Sequence, residues 1–197
     1  MLVTPSSSST LFATRRRFLT GGGQAVLSAA AVTLLVGSAA KAATSMQTAD
    51  QMKSDVDTLN AALSLEYEGI AAYQVGAESG LLQKPVLDLA VQFQGDHKQH
   101  AEVLARTIGK LGGKPVAAKK PADYKFPVET LKNQADVLRF AAGLEKGAAS
   151  AYLGAVPVFA NKDLAKAAAS ILGDETMHWA ILRNALGENP VPAPFIS

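Results

Sequence analysis

The chain has 197 residues, 48% of them hydrophobic and 18% charged, enough to bury one core and too apolar for a disordered tail. It has no cysteine, which excludes disulfides and thiolate metal sites, so any metal must bind through histidine and carboxylate. The formal charge of +2 comes from the first segment: without Arg15, Arg16, Arg17 and Lys41, 15 basic and 17 acidic residues remain, a charge of −2 with no basic stripe, which argues against nucleic acid as a partner.

Residues 1–42 read as an export signal to be set apart from the fold. A basic stretch, Thr14 to Thr20, precedes a run from Gly21 to Gly37 without a single charge, and "AAKAA" then offers the small residues of a cleavage site after Ala42. The order Thr-Arg-Arg-Arg-Phe-Leu resembles the twin-arginine signal, with Arg15 and Arg16 as the pair. An ordinary secretory signal is the alternative; an uncleaved anchor is disfavoured because the apolar run falls short of a span of ~20 residues. Either signal places the mature protein, residues 43–197, in the periplasm or outside the cell, with membrane contact only in transit.

The mature chain reads as four helices. Leu59, Ala62, Leu63, Glu66, Ile70 and Tyr73 recur at helical spacing in a window without proline, predicting a first helix over 48–79. Pro85 suits the start of a second, which runs through Leu89, Phe93, His100 and Leu104 to the glycines after Leu111. Residues 112–127 hold three prolines and little periodicity; extended, they reach roughly 53 Å, enough to span a 25-residue helix of about 37 Å. A third helix is expected from Glu129 to Val156 and a fourth from Lys162 to Leu186, before a proline-rich tail. One long crossover between helices two and three separates this pattern from up-down bundles with short loops throughout. The class is all-α, a four-helix bundle.

Two stretches repeat a frame: "GDHKQH" over 95–100 and "GDETMH" over 173–178. Aligning them sets His97 over Glu175 and His100 over His178; 31 and 30 residues earlier stand Glu66 and Glu145, each followed seven residues on by a tyrosine, Tyr73 and Tyr152. Residues three apart on a helix share a side, so His97 with His100, and Glu175 with His178, can each grip a metal. Glu66 and Glu145 lie in alanine-rich apolar faces and need a partner if buried, which no lysine or arginine at a matching position supplies. The tyrosine hydroxyls could bond ligand carboxylates and tune oxidants. Asp96 and Asp174 could orient histidine N–H groups.

On these residues the chain resembles the ferritin-like domain proteins of the exported bacterial kind, with Glu-x6-Tyr helices similar to those of rubrerythrin-type members and Glu175-x-x-His178 matching the family motif. The resemblance covers residues 48–186. It implies terminal ligands at Glu66 and Glu145, a bridging carboxylate at Glu175, and histidine ligands at His100 and His178. One position departs: His97 stands where the pattern has a second bridging glutamate. A neutral imidazole has one lone pair to donate and cannot bridge as a carboxylate does. The departure therefore favours an asymmetric pair bridged by Glu175 alone, a single ion, or a site softened toward zinc or copper. One or two ions of iron or manganese, or zinc, are the expected cofactor.

Two function classes follow. In one, the centre turns over dioxygen or peroxide, or oxidises Fe(II), as a ferroxidase or peroxidase. In the other, a stress-related or structural bundle binds metal without turnover. A homo-oligomer is compatible with both, and nothing in the sequence identifies the surfaces of a storage cage.

Overall fold

Thr48 begins the first helix with a reciprocal cap: its hydroxyl accepts from the Gln51 amide at 3.2 Å while the Gln51 side chain accepts from the Thr48 amide at 2.9 Å. In the computed structural model, which describes residues 47–197, that helix is α1, Ala49–Glu78. The export signal expected over residues 1–42 lies outside the described residues.

Pro85 sits in the first turn of α2, Lys84–Lys110, where its missing N–H costs nothing. Gly112 stops α2 at a φ of +79°, a left-handed conformation that a side chain would strain. The helices α3, Gln134–Ala155, and α4, Lys162–Ala185, begin at Asn133 and Asn161, whose side chains accept from the Asp136 and Asp163 amides. No strand occurs among the described residues.

Three of the four helices match the expected bounds to within a residue or so at each end. The third begins five residues later than expected: Val128–Thr130 forms a separate 3-10 turn, and the Asn133 cap sets the true start at Gln134. The crossover is accordingly residues 111–133. Its start is tied to α1, where the Asn60 side chain donates to the Lys114 carbonyl at 3.1 Å and accepts from the Val116 amide at 2.8 Å. At the other end of the bundle, the Gln83 amide before α2 donates to the Gln134 side chain at 2.8 Å. The crossover thus runs the length of the bundle, and α3 descends antiparallel to α1.

Buried Asp55 fixes the opposite end. Its carboxylate accepts from the Ala160 and Asn161 amides at 2.8 and 3.0 Å, holding the α3–α4 loop against α1. The helices pair most closely as α1 with α2 and α3 with α4, while α1 with α3, and α2 with α4, approach less closely.

Two apolar clusters fill the interior. One gathers Leu63, Leu104, Ile108, Tyr152, Phe159 and Leu164; the other gathers Tyr73, Phe93, Leu138 and Leu182. Between them lies a layer of buried charge. Among the described residues no helix is long and apolar enough to cross a membrane.

Candidate metal centre

The Glu-x6-Tyr spacing acquires its meaning from the antiparallel run of α1 and α3. Seven residues are about two helical turns, so each tyrosine shares a face with the glutamate of its own helix but lands level with the glutamate of the other. The Tyr73 hydroxyl donates to Glu145 Oε1, and the Tyr152 hydroxyl donates to Glu66 Oε1. Each hydroxyl thereby fixes the rotamer of a glutamate that apolar walls alone would not orient.

From α2 and α4 come the remaining groups. His97 Nδ1 lies 2.8 Å from Glu66 Oε2 and its Nε2 3.3 Å from Glu145 Oε1, so one ring spans both carboxylates. His100 Nδ1 lies 3.2 Å from Glu175 Oε1 and 3.5 Å from Glu66 Oε2. His178 Nδ1 lies 3.5 Å from Glu145 Oε1 and 3.9 Å from Glu175 Oε2. The outward nitrogens turn to aspartates of the opposite helix: His100 Nε2 is 3.3 Å from Asp174 Oδ2, and His178 Nε2 is 3.5 Å from Asp96 Oδ2. All eight residues singled out by the sequence therefore meet in one layer, and both aspartates stand behind the histidines.

Burial would push each carboxylate's pKa up, and the imidazoles decide the result. Beside His100 and His97, Glu66 is held down at about 2 despite its burial. Glu145 is likewise depressed against burial, by His178 and His97. Burial wins at Glu175, raised to about 8 with Glu145 and Glu66 nearby and His100 only partly offsetting it. Burial lowers His97 and His100, yet their carboxylate neighbours outweigh it and raise them to about 10 and about 12. Both tyrosines lie well above their ordinary value because of burial and the adjacent carboxylates, so they remain hydrogen-bond donors at neutral pH.

What remains unpartnered points to a cation. His100 Nδ1, His178 Nδ1, Glu145 Oε2 and both Glu175 oxygens are buried without a hydrogen bond. Each such atom ordinarily costs about 1–3 kcal/mol, and a native fold keeps few of them without an ion or a water to satisfy them. Ligand atoms of Glu66, His97, His100 and Glu175 lie within 4.8 Å of one another, as do those of His97, Glu145, Glu175 and His178. A third such group, Asp96, Asp174 and His178, lies toward the surface, where both aspartate side chains are 30% exposed. These Glu/His groups could hold metal, and their hard-oxygen and imidazole donors fit iron.

Two residues that shape the centre escape a reading based on ligand types. Gly69 faces His97 so closely that a Cβ there would stand 3.1 Å from the ring. Phe93 stacks on His178 with ring centroids 3.9 Å apart. Helical spacing offered a signal for each, since Gly69 is three residues after Glu66 and Phe93 four before His97.

Comparison with known proteins agrees with this architecture. The family model described as "Ferritin-like domain" matches residues 54–188. Among solved structures, the ferritin-like, diiron-carboxylate protein of Bacillus anthracis superposes with a TM-score of 0.60 at 23% identity, covering 71% of this chain and 99% of that one. The dodecameric thioferritin of Bacteroides fragilis, a bacterioferritin-related protein, has a TM-score of 0.60 at 26% identity over 69% of this chain and 86% of its own. The Desulfovibrio desulfuricans bacterioferritin, solved for its diiron site in different catalytic states, has a TM-score of 0.60 at 21% identity over 70% of this chain and 81% of its own. No curated protein sequence matches the chain.

Proposed function

The chain belongs to the ferritin-like domain family, and from that premise we propose that it is an exported protein that binds iron within its bundle through Glu66, His97, His100, Glu145, Glu175 and His178. The observation that carries this reading is Glu175, fully buried with neither oxygen hydrogen-bonded, set between two histidine Nδ1 atoms that are themselves unpartnered. A carboxylate so placed is unstable without a cation and well placed with one. The diiron-carboxylate and bacterioferritin neighbours favour iron over manganese or zinc. Export by a twin-arginine signal over residues 1–42 belongs to the same reading, because that route carries proteins already folded and can deliver a centre already filled.

Bound iron would supply electron-transfer chemistry toward dioxygen or peroxide. The chain's own contribution is positioning and exclusion. Tyr73 and Tyr152 hold the terminal glutamates, Asp174 and Asp96 orient His100 and His178 from behind, and the two apolar clusters close the layer to water on either side. Access is left between α2 and α4, which pack more loosely than α1 on α2 or α3 on α4, where His100 is 16% exposed beside Asp174.

A second reading, binding without turnover, draws on His97. Its ring already bonds Glu66 and Glu145, so the layer is partly compensated without any ion. Metal content separates these readings from a bundle with no metal, and Fe(II) oxidation separates them from each other. The full chain purified without chelator should carry iron, and Glu175→Gln should weaken iron binding by at least about 100-fold while helical content stays intact. A wild-type chain that is folded and takes up no metal would end both readings.

A further inference from the structure

We propose that His97 is a ligand shared by two metal sites, one at each edge of its ring. The proposal rests on the reading that this layer binds metal, and it specifies how the histidine fills the place of a bridging carboxylate. Nδ1 faces the half made by Glu66, His100 and Glu175 Oε1, lying 2.8 Å from Glu66 Oε2 and 3.7 Å from Glu175 Oε1. Nε2 faces the half made by Glu145, His178 and Glu175 Oε2, lying 3.3 Å from Glu145 Oε1. Each half thus offers two ring nitrogens and two carboxylate oxygens, with its ligand atoms within 4.8 Å of one another. Four ligands of this hardness suit a first-row divalent ion.

The position of the ring matters more than its residue type. A histidine that served one ion would turn one nitrogen toward the metal and the other toward an orienting partner, as His100 and His178 do with Asp174 and Asp96. His97 has no such outer partner: both of its nitrogens point into the layer. Gly69 leaves it room on one side, with no Cβ to displace the ring, and Tyr73 lies 5.4 Å away between ring centroids.

The proton balance follows. A neutral imidazole has one lone pair, so both nitrogens can donate only if the ring releases its N–H protons to solvent as the two ions bind. The resulting imidazolate carries one negative charge, as the glutamate of the family pattern would. Its lone pairs diverge where those of a carboxylate converge, so the two ions, each taking one oxygen of Glu175 in an opened bridge, are held further apart than the roughly 3.5–4 Å of pairs bridged by carboxylates alone.

Zinc is the probe, because it binds without redox chemistry. The metal-free full chain is titrated with zinc by calorimetry and elemental analysis, and the zinc-loaded crystal structure gives the positions. The expected result is two zinc ions per chain, one on each nitrogen of His97, separated by more than 4 Å. His97→Gln should fall to one ion or none, and His97→Glu should keep two at the shorter separation, which guards against a variant that merely misfolds. One ion only in the wild type, or two bridged by Glu175 with His97 still bonded to Glu66 and Glu145, overturns the proposal and leaves metal binding standing. No zinc in a chain whose circular dichroism is fully helical overturns both.

Discussion

The two helix pairs set the same frame around one layer and differ at a single one of its six Glu/His positions. On α2 that position is His97, with both ring nitrogens engaged by carboxylates; on α4 it is Glu175, with both oxygens unpartnered. His97 is satisfied within the protein and Glu175 is not. One carboxylate left without hydrogen bonds gives the centre its demand for a cation, while the histidine keeps the other two glutamates from repelling each other in the metal-free chain. An arrangement with carboxylates at both positions would have only the demand.

The largest expected effect separates those roles. In the metal-free chain, His97→Ala removes the shared partner of Glu66 and Glu145 and should cost about 3–5 kcal/mol in urea unfolding, the usual range when one member of a buried charged network is deleted. Glu175→Gln at the corresponding position should change metal-free stability by less than about 1 kcal/mol, because it removes no hydrogen bond and keeps the volume. Equal losses from the two changes would mean that the halves are not specialised in this way.

A smaller contrast lies with the tyrosines. Glu66 keeps its 2.8 Å hydrogen bond to His97 if Tyr152 loses its hydroxyl, whereas Glu145 keeps a longer one, 3.3 Å to the same ring, if Tyr73 does. Tyr73→Phe should therefore cost about 2 kcal/mol and Tyr152→Phe about 1 kcal/mol, within the range for a buried acceptor left short of a donor. Unfolding midpoints measured side by side test the order, and the reverse order would place the tighter imidazole bond on Glu145.

Much of this was legible in the sequence, and the reason differs between fold and site. Helices α1, α2 and α4 were set by local signals: a run without proline, Pro85 at a start, and glycine or proline after a stop. The start of α3 lies beyond the expected Glu129, which looks helical in isolation, because the Asn133 side chain captures the Asp136 amide and fixes the cap there. Within the site, spacing identified which residues share a face. It could not show that each tyrosine serves the other helix's glutamate, which depends on α1 and α3 running antiparallel. It also gave no account of both edges of the His97 ring, whose orientation depends on Gly69 and on glutamates far away in the chain. No lysine or arginine pairs with the buried Glu66 and Glu145; the histidines hold that place.

The smallest predicted effect tests whether that ring orientation is what distinguishes the halves. An alanine at Gly69 would put its Cβ 3.1 Å from His97 Cε1 and Nδ1, so the ring must shift by a few tenths of an ångström away from α1. Alanine also favours the helix by roughly 1 kcal/mol over glycine, which offsets the crowding, and the net change in metal-free stability should stay below about 1 kcal/mol. Gly76→Ala provides the contrast on the same helix: its Cβ would meet only a Val137 methyl at 3.2 Å, with the same gain in helix propensity and no histidine nearby. Metal binding should then weaken severalfold in Gly69→Ala and remain unchanged in Gly76→Ala, with the loss confined to the half that His97 Nδ1 faces. If both variants bind metal like the wild type, the glycine beside the ring is a packing residue, and the difference between the halves rests on the identity of residues 97 and 175 alone.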